Sequence, residues 1–187
     1  VEGLDMWSDA HFEALVPYMR LLADAGQKVV TTTLNKDPWN NQCFDSYADM
    51  IVWTKNADGA WSYDYTVFDR WVELMTGLGI DHTINCYSML PWNNELHYRD
   101  GVTGRFVDVT ADPGTPAFEE LWVPFLTDFT GHLREKGWLG RTNIAMDERS
   151  PEEMTDALDL LRKTAPELGI AMADNKNSYL SYPFINS

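Results

Sequence analysis

Four amphipathic segments with helix-start signals alternate with four short runs rich in β-branched residues, and this alternation narrows the possible folds more than any other feature of the chain. Ser8 precedes Phe12, Leu15, Val16, Met19 and Leu22, an apolar stripe at helical spacing that stops near Gly26. Thr66, with Asp69 three residues on, opens a second helix through Phe68, Trp71, Val72, Met75 and Leu78 towards Gly79. Thr115-Pro116 opens the longest, whose stripe runs from Phe118 to Leu133 and closes at Gly137. Ser150-Pro151-Glu152-Glu153 is a capping box with proline at the first helical position. The runs between them, 29–34, 82–90, 143–146 and 168–173, read as strands. Helix then strand, repeated, predicts a parallel α/β sheet covered by helices.

Two inserts break the rhythm. Residues 51–54 and 60–63 flank Asn56-Ala57-Asp58-Gly59, and residues 95–98 and 105–109 flank a Gly-containing turn, so each insert reads as a β-hairpin. A (β/α)8 barrel needs roughly 250 residues. With about four strand–helix units in 187 residues, the economical expectation is a TIM-barrel-like partial barrel bearing two hairpin inserts; a smaller open α/β sheet is the alternative. The chain opens at Val1 and closes just after Tyr182-Pro183-Phe184, which reads as a piece of a longer protein.

Composition removes several functional classes. Lys and Arg number 14 against 29 Asp and Glu, so the net charge is −15 and phosphate-binding surfaces, nucleic acid above all, are disfavoured. Hydrophobic residues at 44% are enough for a packed core. No apolar run approaches the ~20 residues of a membrane span. Neither Cys43 nor Cys86 lies in a C-x-x-C pair, and His11, His82, His97 and His132 lack ligand spacing, so no metal is expected. Glycine-rich phosphate or dinucleotide fingerprints are absent, so no cofactor is expected either. Neutral partners such as sugars remain.

The segment Asn143-Ile144-Ala145-Met146-Asp147-Glu148-Arg149 carries the strongest chemical signal. A strand runs directly into two carboxylates and then a capped helix. Alternation puts Ala145 and Asp147 on one face and Ile144 and Met146 on the other, so Asp147 points to the C-terminal mouth if the latter pair packs under the helices. Adjacent carboxylates repel, and one is then expected to keep its proton, the arrangement that glycosidic cleavage uses. Carboxylates also favour helix N-termini for dipole reasons, but Ser150 and Glu153 already serve that cap. Polar and aromatic residues recur at the other strand ends: Asn35 and Trp39, then Asn85, Tyr87 and Trp92, then Asn175 and Tyr179. Aromatic faces stack on sugars and amides pair with hydroxyls, although loops also favour Asn for turn reasons.

Pro38-Trp39, the stretch from Val52-Trp53 through Asp58-Gly59-Ala60-Trp61 to Tyr65-Thr66, Phe68-Asp69, Ile84-Asn85-Cys86-Tyr87-Ser88-Met89 with Pro91-Trp92, and His132-Leu133 with Lys136-Gly137-Trp138 resemble glycoside hydrolase family 123, and Ile144 to Arg149 does so most closely. The resemblance spans about 29–173. It implies that 1–187 is a partial glycoside hydrolase catalytic domain from a bacterial β-N-acetylgalactosaminidase on a (β/α)8 barrel, acting outside the cytoplasm on a glycan or glycoconjugate. It further implies retaining, substrate-assisted hydrolysis, in which the 2-acetamido oxygen is the nucleophile. On that reading Asp147 orients the acetamido group and Glu148 is the general acid/base. A tyrosine beyond the acid, Tyr179 or Tyr182, is expected to bind the acetamido oxygen. A barrel glycosidase for another sugar, and a non-catalytic sugar-binding or scaffold protein, are the competing expectations.

Overall fold

A computed structural model describes residues 3–39, 42, 48–174 and 180–182. The alternation predicts the element order well. Helix α1 (Asp9–Asp24) leads into β1 (Val29–Thr33), and α2 (Thr66–Gly77) into β4 (Thr83–Tyr87). Helix α3 (Pro116–Glu135) leads into β7 (Thr142–Asp147), and α4 (Pro151–Thr164) into β8 (Gly169–Ala173). These four strands form one parallel sheet in the order β1-β4-β7-β8, with β1 and β8 at its edges among the described residues.

The helix ends follow from local chemistry. Ser8 accepts from the His11 N–H, Thr115 from the Phe118 N–H, and Ser150 with Glu153 forms the full reciprocal capping box. Glu152 and Glu153 in the first turn of α4, with Arg162 and Lys163 in its last, also complement the helix dipole. Gly79 and Gly137 follow α2 and α3 with φ of 89° and 71°, a left-handed backbone that a side chain would resist. The start of α2 departs from expectation. Thr66 is its first helical residue rather than its cap, and the Asp64 carboxylate accepts from both the N–H and the hydroxyl of Thr66.

Strands between two layers should be apolar on the helix side, and here Val30, Ile84, Cys86, Ile144, Met146 and Ile170 are buried in the core. Pairing aligns the opposite face in rows: Thr31, Asn85, Asn143 and Gly169, then Thr33, Tyr87, Ala145 and Ala171, with Asp147 beside Ala173 at the end. Alternation therefore delivers Asp147 to the polar face, as read from the sequence. The second strand ends at Tyr87, three residues short of the expected Leu90, and the Tyr87–Ser88 peptide bond is cis.

The inserts are where the structure adds most. Hairpin β2 (Val52–Lys55)–β3 (Trp61–Asp64) and hairpin β5 (Glu95–Asp100)–β6 (Phe106–Thr110) are not separate. Parallel pairing of Thr54 with Arg99 and Lys55 with Asp100 joins them into a second four-stranded sheet, β3-β2-β5-β6. One face of that sheet packs on α3. Trp53, fully buried, stacks on Phe125 at 4.3 Å between ring centres and meets Trp122 edge-on at 5.2 Å. Its indole N–H donates to the Leu34 carbonyl at 2.9 Å, so one side chain ties the insert sheet to the exit from β1. Trp53→Ala should cost about 3–5 kcal/mol, the range for truncating a buried aromatic, and urea unfolding of the purified chain measures it.

Candidate active site

Asp147 closes β7 with its carboxylate on the polar face of the parallel sheet. The Trp39 indole N–H donates to Asp147 Oδ2 at 3.0 Å. Trp39 also packs against Tyr87, with ring centres 5.3 Å apart. Three residues singled out in sequence, far apart along the chain, therefore meet at the C-terminal ends of β1, β4 and β7. The Tyr87 phenol is pushed above its ordinary range, first by burial and then by the nearby Asp147 charge.

Glu148 follows directly and is exposed. Its φ of 44° lies in the left-handed region, which costs a residue with a Cβ about 1–2 kcal/mol. Its N–H donates to the Ala173 carbonyl at 3.0 Å, so the kink is pinned against the end of β8. Among the described residues none hydrogen-bonds its carboxylate. The two carboxylates thus differ in environment: Asp147 is half-buried and held by an indole, while Glu148 stands at the rim.

Arg149, which the sequence reading quoted without a role, braces this rim. Its Nη2 donates to Asn94 Oδ1 at 2.9 Å and also contacts the Glu153 carboxylate. Burial alone would raise the Glu153 carboxyl. Hydrogen bonds from the Ser150 side chain and backbone, with the charge and donors of Arg149, outweigh it and hold the group below the usual range. The turn after β7 is thereby fastened to the turn after β4. The Arg149–Glu153 pair is local, but the bond from Arg149 to Asn94, in the turn after another strand, is not readable from local sequence.

The remaining candidates separate. Asn85 lies on the same face but deeper, its Oδ1 accepting from Asn143 Nδ2 at 2.8 Å. Trp92 is half-buried, and its N–H donates to the Pro38 carbonyl at 2.9 Å, joining the loops after β1 and β4. Its indole nitrogen is buried and has no hydrogen-bond partner among the described residues. Asn35 has a structural post: its amide donates to the His97 carbonyl at 2.8 Å and accepts the His97 N–H at 2.9 Å. One donor and one lone pair of this buried amide are thus spent on the backbone of β5. Asn175 and Tyr179 lie outside the described residues. The Tyr182 hydroxyl lies 3.5 Å from the Pro151 carbonyl, at the start of α4. Among the described residues no three His, Cys, Asp or Glu side chains converge as metal ligands.

The Tyr87–Asp147 coupling is measurable. Replacing Asp147 by Asn removes the negative charge that disfavours the phenolate, so the Tyr87 pKa should fall; since burial is the larger cause, it should stay above the ordinary value near 10. Carbon-detected NMR titration of labelled tyrosines in the parent and the Asp147→Asn variant checks both parts of this expectation.

Comparisons with known proteins bear on what such a site belongs to. Residues 1–185 match the model of the glycoside hydrolase 123 catalytic domain. Among solved structures, a family 123 glycoside hydrolase from Clostridium perfringens, described in connection with glycolipid glycan hydrolysis, superposes with a TM-score of 0.84 at 33% identity. The match covers 94% of this chain and 33% of that one, so the chain spans about a third of the length of its structural relative. A comparison with curated proteins finds no match. By the extent of the domain match, this chain belongs to glycoside hydrolase family 123.

Proposed function

We propose that residues 1–187 are part of the catalytic domain of a glycoside hydrolase that releases terminal β-linked N-acetylgalactosamine from a glycan, with the headgroup of a glycolipid as one substrate class. In this reading the parallel sheet is a section of a (β/α)8 barrel, completed by chain outside this sequence. The observation that carries the proposal is the carboxylate pair at the end of β7: Asp147 on the polar face in the grip of the Trp39 indole, and Glu148 exposed beside it.

The chemistry follows from that asymmetry. With Oδ2 engaged by Trp39, Asp147 presents its other oxygen to the substrate acetamido N–H, turning the acetamido oxygen towards the anomeric carbon. That oxygen attacks, the bond from the anomeric carbon to the leaving oxygen breaks, and Glu148 supplies the proton that the leaving oxygen takes up. The Asp147 charge stabilises the resulting oxazolinium. Glu148, now ionised, takes a proton from water as that water attacks the anomeric carbon and reopens the ring. Two displacements at one carbon retain its configuration. The nucleophile is already attached to the substrate, so proximity supplies much of the rate, and the carboxylate spacing of ordinary retaining enzymes does not apply. Trp39 and Tyr87 pack together beside Asp147.

In the full-length protein, Glu148→Gln should lower turnover ~10²–10⁴-fold on substrates with poor leaving groups and less on nitrophenyl 2-acetamido-2-deoxy-β-galactoside, whose leaving oxygen hardly needs a proton. Equal losses on both would remove Glu148 from the acid role. Asp147→Asn should slow both substrates alike. Hydrolysis of an analogue with a 2-hydroxyl in place of the acetamido group would point to a glycosidase of another type. Sugar binding indifferent to Glu148→Gln, with no turnover by the parent, would make the protein a lectin-like relative.

A further inference from the structure

The Glu148 side chain is exposed, so the direction of its carboxyl is set by the backbone that carries it. That backbone is strained. A φ of 44° lies in the left-handed region, which a residue with a Cβ resists, and a turn with free ends would relax out of it. Each side of the residue must therefore be held. On the N-terminal side, the Glu148 N–H donates to the Ala173 carbonyl at 3.0 Å. On the C-terminal side stands Arg149, whose side chain is only 12% exposed. Its Nη2 donates to Asn94 Oδ1 at 2.9 Å and contacts the Glu153 carboxylate.

Two observations separate this arginine from an ordinary helix brace. Helix α4 does not need it, because the Ser150–Glu153 box makes both of its reciprocal bonds by itself. The guanidinium is also largely buried, and its Nε has no hydrogen-bond partner among the described residues. Burying a charge on those terms is unfavourable, and the feature it provides is the tie to Asn94. Asn94 is a firm anchor. Its N–H donates to the Pro91 carbonyl, its carbonyl accepts the Ala111 N–H, and its Nδ2 donates to Asp112 Oδ1, each at 2.9 Å. It is thereby fixed both within its own turn and to the chain leaving β6.

We propose that Arg149 is a positioning residue for the general acid: by clamping the C-terminal side of the left-handed turn to Asn94, it holds the Glu148 carboxyl where the leaving oxygen takes up its proton. The inference rests on the hydrolase reading and adds to it the part of the fold that aims the acid. It also separates the two carboxylates. Asp147 is held independently, paired with Ala173 in the strand ladder and bonded by the Trp39 indole. Loss of the Arg149 clamp should then disturb proton donation and spare the step that the acetamido group carries out.

The test is kinetic, on the full-length protein with two substrates. One is a soluble oligosaccharide ending in β-linked N-acetylgalactosamine, whose leaving group is poor; the other is the nitrophenyl sugar. Arg149→Met should lower kcat on the oligosaccharide about 10–10²-fold, with a much smaller loss on the nitrophenyl sugar and KM little changed on either. Asn94→Gly removes the acceptor amide while suiting the φ of 53° at that position, so it should give the same selective pattern and serves if Arg149→Met does not fold. Because the arginine acts through Glu148, adding Arg149→Met to Glu148→Gln should lower the oligosaccharide rate no further. Equal losses on the two substrates overturn the proposal, as does a double variant whose loss multiplies those of the single ones; either leaves Arg149 a structural brace. A parent without turnover, or a Glu148→Gln variant that loses both substrates equally, defeats the hydrolase reading or its acid instead. Selectivity in Glu148→Gln that Arg149→Met and Asn94→Gly lack defeats this inference alone.

Discussion

The buried indole of Trp53 joins the two halves of this molecule. Its ring is stacked on Phe125 of α3 and crossed by Trp122, while its N–H holds the Leu34 carbonyl at the end of β1. A hydrophobic anchor and a directional bond in one side chain make the insert sheet and the parallel sheet share a single core. The loop that begins at Leu34 then runs through Asn35, Lys36 and Pro38 to Trp39, and each step is fastened: Asn35 to His97, Lys36 to Glu95 and Asp108, the Pro38 carbonyl to Trp92. The geometry at Asp147 is set at the end of this chain of attachments. Its position depends on packing some way from the carboxylate itself.

Preorganisation of this kind suits the proposed reaction, which uses no protein nucleophile. When the attacking atom belongs to the substrate, the protein contributes orientation and charge. The Asp147 carboxylate is held by an indole, while at Glu148 it is the kinked backbone, not the exposed side chain, that is pinned to β8. Arg149, shared between Asn94 and Glu153, keeps the surrounding turns from parting.

Much of this was legible in the sequence because it is local. Ser8, Thr115 and the Ser150–Glu153 box marked helix starts through bonds made within four residues. The face of Asp147 followed from the two-residue period of a strand whose alternate residues, Ile144 and Met146, had to be buried. What was not legible is non-local. The parallel pairing of β2 with β5 rests on two residue pairs from hairpins some 40 positions apart, and no sequence period encodes it. Asn35 has the residue type and strand-end position of a sugar ligand, yet its amide meets the backbone of residue 97, a partner that only the fold supplies. Thr66 has the composition of a cap, but Asp64 two residues earlier accepts both of its donors. The left-handed backbone at Glu148 goes against the preference of its residue type, so only its surroundings could reveal it.

The fusion of the two hairpins has a consequence for exchanging parts between relatives. Loops that follow different strands of an α/β scaffold are usually treated as separate modules, open to grafting one at a time. Here the segments 51–64 and 95–110 share a hydrogen-bonded seam and a common aromatic floor on α3. Replacing one alone would leave an edge with no matching strand and a half-empty floor. The two segments form one heritable unit, and chimaeras of this domain should carry both or neither.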